Sequence, residues 1–313
     1  MTFKVFIDGA AGTTGLEIAD RLAGRTDIAI LKIADDRRKD PAARAEALNA
    51  ADAVILCLPD DAAREAVSLI DNGTTRIIDA STAHRTAADW AYGFAELEPE
   101  ARAKIAGSTR ISNPGCYPTG FLALIRPLVR AGLLPADTPV SVNALSGYSG
   151  GGKSMIAMFE DPNDPAATDT AARAYALSLG HKHVPEMQGH AGLAHPPIFA
   201  PTVVRTYRGM LVEVPLHLHL LPGAVTGDKI RDTLADAYAG SRIVRVVRDN
   251  PSFLTIEQAA GTDRLELYVY ADEKNGQARL IAALDNLGKG AGGAAVQNLN
   301  IALGLDEAEG LIL

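Results

Sequence analysis

The chain has 313 residues, 47% of them hydrophobic, enough for a sizeable core and for more than one domain. Its formal net charge of −8 argues against a general nucleic-acid or membrane-surface binder, because both partners are themselves anionic. Two cysteines exclude a disulfide framework, and no apolar run reaches the ~18 residues that a membrane span needs. The N-terminal stretch has no signal-peptide anatomy, so a reducing cytoplasm is the expected compartment.

The first third alternates strand-like and helix-like runs, the pattern of a parallel α/β sheet. Residues 4–8 read as a strand and 15–22 as the helix behind it. A second strand is expected over 28–34 and an alanine-rich helix over about 41 to 50. An apolar strand then runs from Ala53 toward Pro59, followed by a helix over roughly 61 to 71 and a strand over 76–79. From about residue 116 the character changes. A helix is expected over 121–131, with Pro127 as a kink, and then strands over 140–144, 202–206, 210–219, 242–247 and 265–271. Consecutive strands with fewer helices suggest an α+β domain with a more antiparallel sheet. A last helix is expected over about 294 to 303.

Gly9, Gly12 and Gly15 fall between the first strand and the first helix, with Thr13 and Thr14 among them. Glycines suit a turn that must fold tightly and let a pyrophosphate come close to backbone N–H groups at a helix start. The spacing is Gly-x-x-Gly-x-x-Gly, so its placement carries more weight than its pattern. After the second strand come Arg37, Arg38 and Lys39, whose cationic groups suit a 2′-phosphate and favour NADP(H) over NAD.

The two cysteines contrast. Cys57 sits in an apolar strand, where a thiol behaves as a small hydrophobe. Cys116 stands in Asn113-Pro-Gly-Cys-Tyr-Pro-Thr-Gly120, just before a helical pattern. A helix N-terminus stabilises a thiolate, and Gly115 leaves the sulfur accessible. A thiolate paired with a nicotinamide suggests acyl transfer: sulfur takes an acyl group as a thioester, and hydride reduces it to a thiohemiacetal that releases an aldehyde.

Such a reaction needs an acid near neutrality. His181 and His183 in His-Lys-His-Val-Pro-Glu186 would share one side of an extended segment, and Glu186 could orient one of them. His217 and His219 are explained by a structural strand, and no third ligand accompanies either His-x-His pair, so no metal is expected. The Gly-rich run Ser146 to Ser154, with Ser149 and Lys153, is a candidate phosphate-wrapping loop, although it lacks the P-loop spacing.

Together these segments, with Asp285-Asn-Leu-Gly-Lys-Gly290 and Val296-Gln-Asn298, resemble the N-acetyl-γ-glutamyl-phosphate reductase family in its shorter form, over nearly the whole chain. The resemblance implies a Rossmann-type NADP-binding domain (1–115) and an α+β catalytic and oligomerisation domain of the semialdehyde/glyceraldehyde-phosphate dehydrogenase type (116–285). A C-terminal helix (286–313) would return to the first domain. It implies Cys116 as nucleophile, a histidine of the 181–183 pair as acid/base, and Asn286 to Gly290 lining the nicotinamide site. Asn113, Ser146, Ser149 and Lys153 are the candidate contacts to a small acyl phosphate. A homodimer or homotetramer is expected. An aspartate-semialdehyde dehydrogenase, a relative acting on a carrier-bound α-aminoadipyl phosphate, and a nucleotide-sensing protein without turnover are the competing readings.

Overall fold

A computed structural model describes residues 2–37 and 40–313. The chain divides into two compact units, one of Met1–Pro114 with Ala291–Leu311 and the other of Gly115–Gly290 with Ile312–Leu313.

The first unit is built on a parallel sheet. Its elements are β1 (Phe3–Asp8), α1 (Thr13–Leu22), β2 (Ile28–Leu31), α2 (Pro41–Ala50), β3 (Ala53–Leu56), α3 (Asp60–Ser68), β4 (Arg76–Asp79), β5 (Ala91–Tyr92), α4 (Ala101–Gly107) and β6 (Arg110–Ser112). The strand order is β2-β1-β3-β4-β6-β5, with every pairing parallel. All of β3 is buried, as its unbroken apolar run requires. Val5, Ile7, Ile55 and Ile78 face one core with Ile18 and Leu22 of α1. Each such side chain, fully buried, contributes about 1.5–3 kcal/mol relative to exposure. The helix Gly293–Leu303 closes the same core through Ala295, Val296 and Leu299. Two expectations change here. β2 stops at Leu31, where a short 3₁₀ turn (Asp35–Arg37) follows. The return to this unit begins at Ala291, not at residue 286. The physical reason is Asp285, whose carboxylate accepts from the N–H groups of Leu287, Gly288 and Gly261 and holds the turn in the second unit.

The second unit contains α5 (Cys116–Arg130), β7 (Ser141–Gly147), α6 (Gly152–Glu160), β8 (Ala172–Ala174), α7 (His183–Ala191), β9 (Ile198–Val204), β10 (Met210–His217), α8 (Gly227–Ala237), β11 (Val244–Val246), β12 (Leu265–Asp272) and β13 (Gln277–Leu284). Its mixed sheet runs β11-β12-β13-β10-β7-β9-β8, parallel only at β11–β12 and β7–β9. Helix α5 packs on β10 and β13. Gly120 makes this approach possible, since a Cβ there would stand 2.8 Å from Val212. Pro127 lies inside α5 without ending it. His217 closes β10, and His219 sits in a 3₁₀ turn (Leu218–Leu220) with its ring 5.5 Å from that of His217.

Candidate active site

The dinucleotide turn lies in the first unit. Gly9 has φ +90°, and a Cβ there would stand 2.3 Å from the Cys57 carbonyl oxygen. A Cβ on Gly15 would stand 2.5 Å from the Gly9 carbonyl oxygen, to which the Gly12 N–H donates over 2.9 Å. Only glycines let the turn fold on itself this closely. Gly12 is the N-cap of α1 and no side chain caps the helix, so its first turn, at Thr13 and Thr14, presents a positive dipole end with unfilled N–H groups. This cradle fits the pyrophosphate of a dinucleotide.

Arg37 is exposed, and its guanidinium is held by Glu46 at 3.3 Å and Asp40 at 3.0 Å. Those bonds, Glu46 first, raise its pKa further above the usual arginine range. A 2′-phosphate would therefore compete with two carboxylates for Arg37. Arg38 and Lys39 lie outside the described residues. The Cys57 thiol is pushed up to about 12 by burial and then by Asp79 and Asp8, which keeps it unreactive.

Asn113 was expected to touch substrate, but its amide is committed within its own unit. Its Nδ2 donates to the Ala291 carbonyl over 3.1 Å, and its Oδ1 accepts from Asn298 over 3.0 Å. Asn113 thus fastens the returning segment, because buried amide groups must find partners.

The thiol centre lies in the second unit. Cys116 is the first residue of α5, behind the N-cap Gly115, and no side chain caps this helix either. Pro118 fits because first-turn N–H groups have no partner within the helix. The half-buried sulfur residue sits at the positive end of a 15-residue helix, the setting that favours thiolate. The backbone N–H and hydroxyl of Thr119 both donate to the Gly115 carbonyl over 2.9 Å. Gly290 closes the other side: a Cβ on it would stand 2.9 Å from Cys116 Cβ.

His183 starts α7 and is buried, where an extended segment was expected; Pro185 is tolerated in the first turn, so the helix can begin there. His181 precedes the helix, half-buried, with its ring 4.8 Å from that of His183. Burial, then the Lys182 charge, lowers the His181 pKa below its usual 6.5. Tyr117, the next residue after the thiol residue, has its ring 5.8 Å from that of His183 and 6.4 Å from that of His181. The Glu186 carboxylate accepts from the Gly115 N–H over 2.8 Å, which fastens α7 to the start of α5.

In the Ser146 to Lys153 run, three N–H groups are already taken by backbone carbonyls. The N–H groups of Gly147, Tyr148 and Ser149 donate to the carbonyls of Gly209, Thr206 and Tyr207. Ser149 is buried and its hydroxyl accepts from Asn286 Nδ2 over 2.8 Å, while Asn286 Oδ1 accepts from the Gly209 N–H. Asn286 therefore braces this segment, and Lys153 is exposed at the start of α6. Donors already bonded to backbone cannot also cradle an anion.

Sequence reasoning missed Tyr175 and Arg208, and had Asp285 in view only as part of the Asp285 to Gly290 segment. Asp285 is fully buried and pairs with Arg208 at 2.9 Å, so the turn that carries Gly290 to the thiol is held from several sides. Tyr117 was in view only as part of the cysteine segment.

Comparison with known proteins agrees with this arrangement. Residues 4–105 match the family model of the semialdehyde dehydrogenase NAD binding domain, and residues 116–286 that of the semialdehyde dehydrogenase dimerisation domain. Aspartate semialdehyde dehydrogenase II from Vibrio cholerae superposes with a TM-score of 0.71 over 97% of this chain and 99% of that one, at 16% identity, which shows a shared fold. The chain belongs to the semialdehyde dehydrogenase family. Within it, the chain is 51% identical over 98% of its length to the N-acetyl-gamma-glutamyl-phosphate reductase of Trichormus variabilis, covering 99% of that protein. It is 53% identical over 96% of its length to the reductase of the same name from Brucella ovis, again covering 99%. Among the described residues no helix is long and apolar enough to cross a membrane.

Proposed function

We propose that this protein reduces N-acetyl-γ-glutamyl phosphate to N-acetylglutamate 5-semialdehyde and phosphate with NADPH, a step of arginine biosynthesis. The observation that carries the reading is the placement of Cys116 at the first position of α5, next in sequence to Tyr117, whose ring meets those of His181 and His183, in a chain half identical to reductases of that name.

In this reading Cys116 attacks the γ-acyl carbon, the carbon–oxygen bond to phosphate breaks, and the acyl group stays on sulfur as a thioester. The helix start favours the thiolate beforehand, and first-turn N–H groups of α5, which no side chain caps, would stabilise the oxygen that gains charge. An imidazole of the pair supplies the proton that the substrate oxygen or the departing group needs. A bound nicotinamide supplies the hydride. Gly9, Gly12, Thr13, Thr14 and Gly15 would hold its pyrophosphate, and Arg37 with Arg38 its 2′-phosphate. By the same reading the protein works in the cytoplasm as a homodimer or homotetramer, a view supported by the match to a dimerisation domain.

The test is an assay in the oxidative direction with N-acetylglutamate semialdehyde, NADP and phosphate. Phosphate-dependent NADPH formation is expected, and it should vanish in Cys116→Ser. Its absence from the unaltered protein would remove the proposed substrate.

A further inference from the structure

Tyr175 follows β8 and lies far in sequence from α5, yet its hydroxyl donates to the Tyr117 hydroxyl over 2.9 Å. Tyr117 is buried. This bond ties the residue after β8 to the first turn of α5. It fixes one ring, and that ring is the one the histidines lean on: Tyr117 meets His181, His183 and Phe199 with ring centroids 6.4, 5.8 and 5.0 Å away. The Tyr175 ring also meets His181 directly, at 5.8 Å.

The segment between Tyr175 and His181 is built under constraint. Ala176 and Leu179 have φ of 52° and 64°, left-handed conformations that side chains other than glycine rarely adopt. Such residues persist where surrounding structure imposes them. Burial pushes the Tyr117 phenol well above its usual range and the Tyr175 phenol up to about 12, so both keep their protons at working pH. Both phenols also respond to charge on Cys116, which places them within electrostatic reach of the sulfur.

We propose that Tyr175 is a positioning residue of the thiol centre: its hydroxyl locks the Tyr117 ring, and that ring with its own holds the His181 and His183 imidazoles in register with Cys116. The role rests on the reading of Cys116 and the histidine pair as the reacting groups. Tyr175 does not touch the reacting atoms in this scheme. It sets the orientation of the proton donor, where a misplacement of about 1 Å costs on the order of 100-fold in rate.

Tyr175→Phe keeps the ring against His181 and removes only the bond to Tyr117. It should lower kcat on the order of 10-fold or more, with KM for the acyl phosphate within about twofold and iodoacetamide alkylation of Cys116 within about twofold. In nitrogen-15 spectra of histidine-labelled protein, the His181 and His183 signals should move while those of His217 and His219 stay. An unchanged kcat with unmoved imidazole signals overturns the proposal, as does a loss of alkylation equal to the loss of kcat. If the unaltered protein turns over none of the tested substrates, the functional reading fails on its own. The imidazole signals then decide the positioning role: movement supports it and constancy overturns it.

Discussion

The Gly115 N–H donates to Glu186 Oε1 over 2.8 Å, which joins the residue before the thiol to the helix that carries His183. Both groups are buried, so the bond has no ready substitute from solvent. Glu186→Ala would leave the N–H without that acceptor, a change that costs about 1–3 kcal/mol. The urea midpoint and kcat should both fall. Glu186→Gln, which keeps a carbonyl acceptor, should lose less of each. Equal behaviour of the alanine and glutamine variants would contradict this account.

The two thiols should separate cleanly under alkylation. Cys57 is held up to about 12 by burial, then by Asp79 and Asp8, while Cys116 sits at a helix start. At pH 8, iodoacetamide should label one site per chain, and peptide mapping should find it at Cys116. Cys57→Ala should leave both the labelling rate and turnover unchanged. Rapid labelling of Cys57 in folded protein would refute the assignment.

Charge at the first turn of α1 offers a test of nucleotide binding that spares the fold. A carboxylate at Thr14 is favourable to the helix dipole, so Thr14→Asp should not lower the melting temperature. The same charge repels a pyrophosphate. The KM for NADPH should rise at least about 10-fold, since each 1.4 kcal/mol of lost binding is one decade. An unaltered KM would move the cofactor away from this turn.

The depressed pKa of His181 gives stability a pH dependence of known sign. Burial and the Lys182 charge disfavour its protonated form in the folded state. As pH falls through the unfolded value near 6.5, the unfolded chain takes up a proton more readily than the folded one, and stability drops toward the folded pKa. Above about pH 7 the group is neutral in both states and contributes no slope. His181→Gln should flatten the acid limb of a stability-against-pH curve between about pH 7 and 5. An identical slope in the variant would show that other groups set it.

Gly290→Ala probes the contact behind the thiol. The added Cβ would stand 2.9 Å from both Cys116 Cβ and the Asp285 carbonyl, so one of them must shift. Overpacking of this kind costs about 1–3 kcal/mol. Activity should fall with a lowered melting temperature, and Cys116 alkylation should slow. Full activity would show that the Asp285 turn is more yielding than its bonds to Arg208, Gly261, Leu287 and Gly288 suggest.

Local chemistry was legible in the sequence and long-range partnership was not. The Gly9 to Gly15 turn and a helix start close to Cys116 could be read because glycine and proline act on neighbouring backbone, although α5 begins at Cys116 and not at residue 121. β13 was missed because Gln277–Leu284 is rich in alanine and leucine, which favour helix in isolation; its ladders with β10 and β12 override that preference. Helices α6, α7 and α8 escaped for a related reason, since their faces are defined by what they pack on. The bonds that hold the thiol centre join Tyr117 to Tyr175, Gly115 to Glu186 and Arg208 to Asp285, and no local pattern announces them. The same limit hid the partners of Asn113 and Asn286, whose amides bond to residues far away in sequence.

The helix Gly293–Leu303 has a consequence for biogenesis. Ala295, Val296 and Leu299 share one apolar cluster with Val5, Ile7 and Ile18 near the other end of the chain. During synthesis the first unit emerges early but lacks this face of its core until Ala295 to Leu299 have left the ribosome. All of the inserted unit except Ile312–Leu313 is made sooner and is free to fold first, reversing the usual N-terminal-first order. The nucleotide-binding half is thus the later to mature, and its bare apolar surface is what a chaperone would meet in the interval.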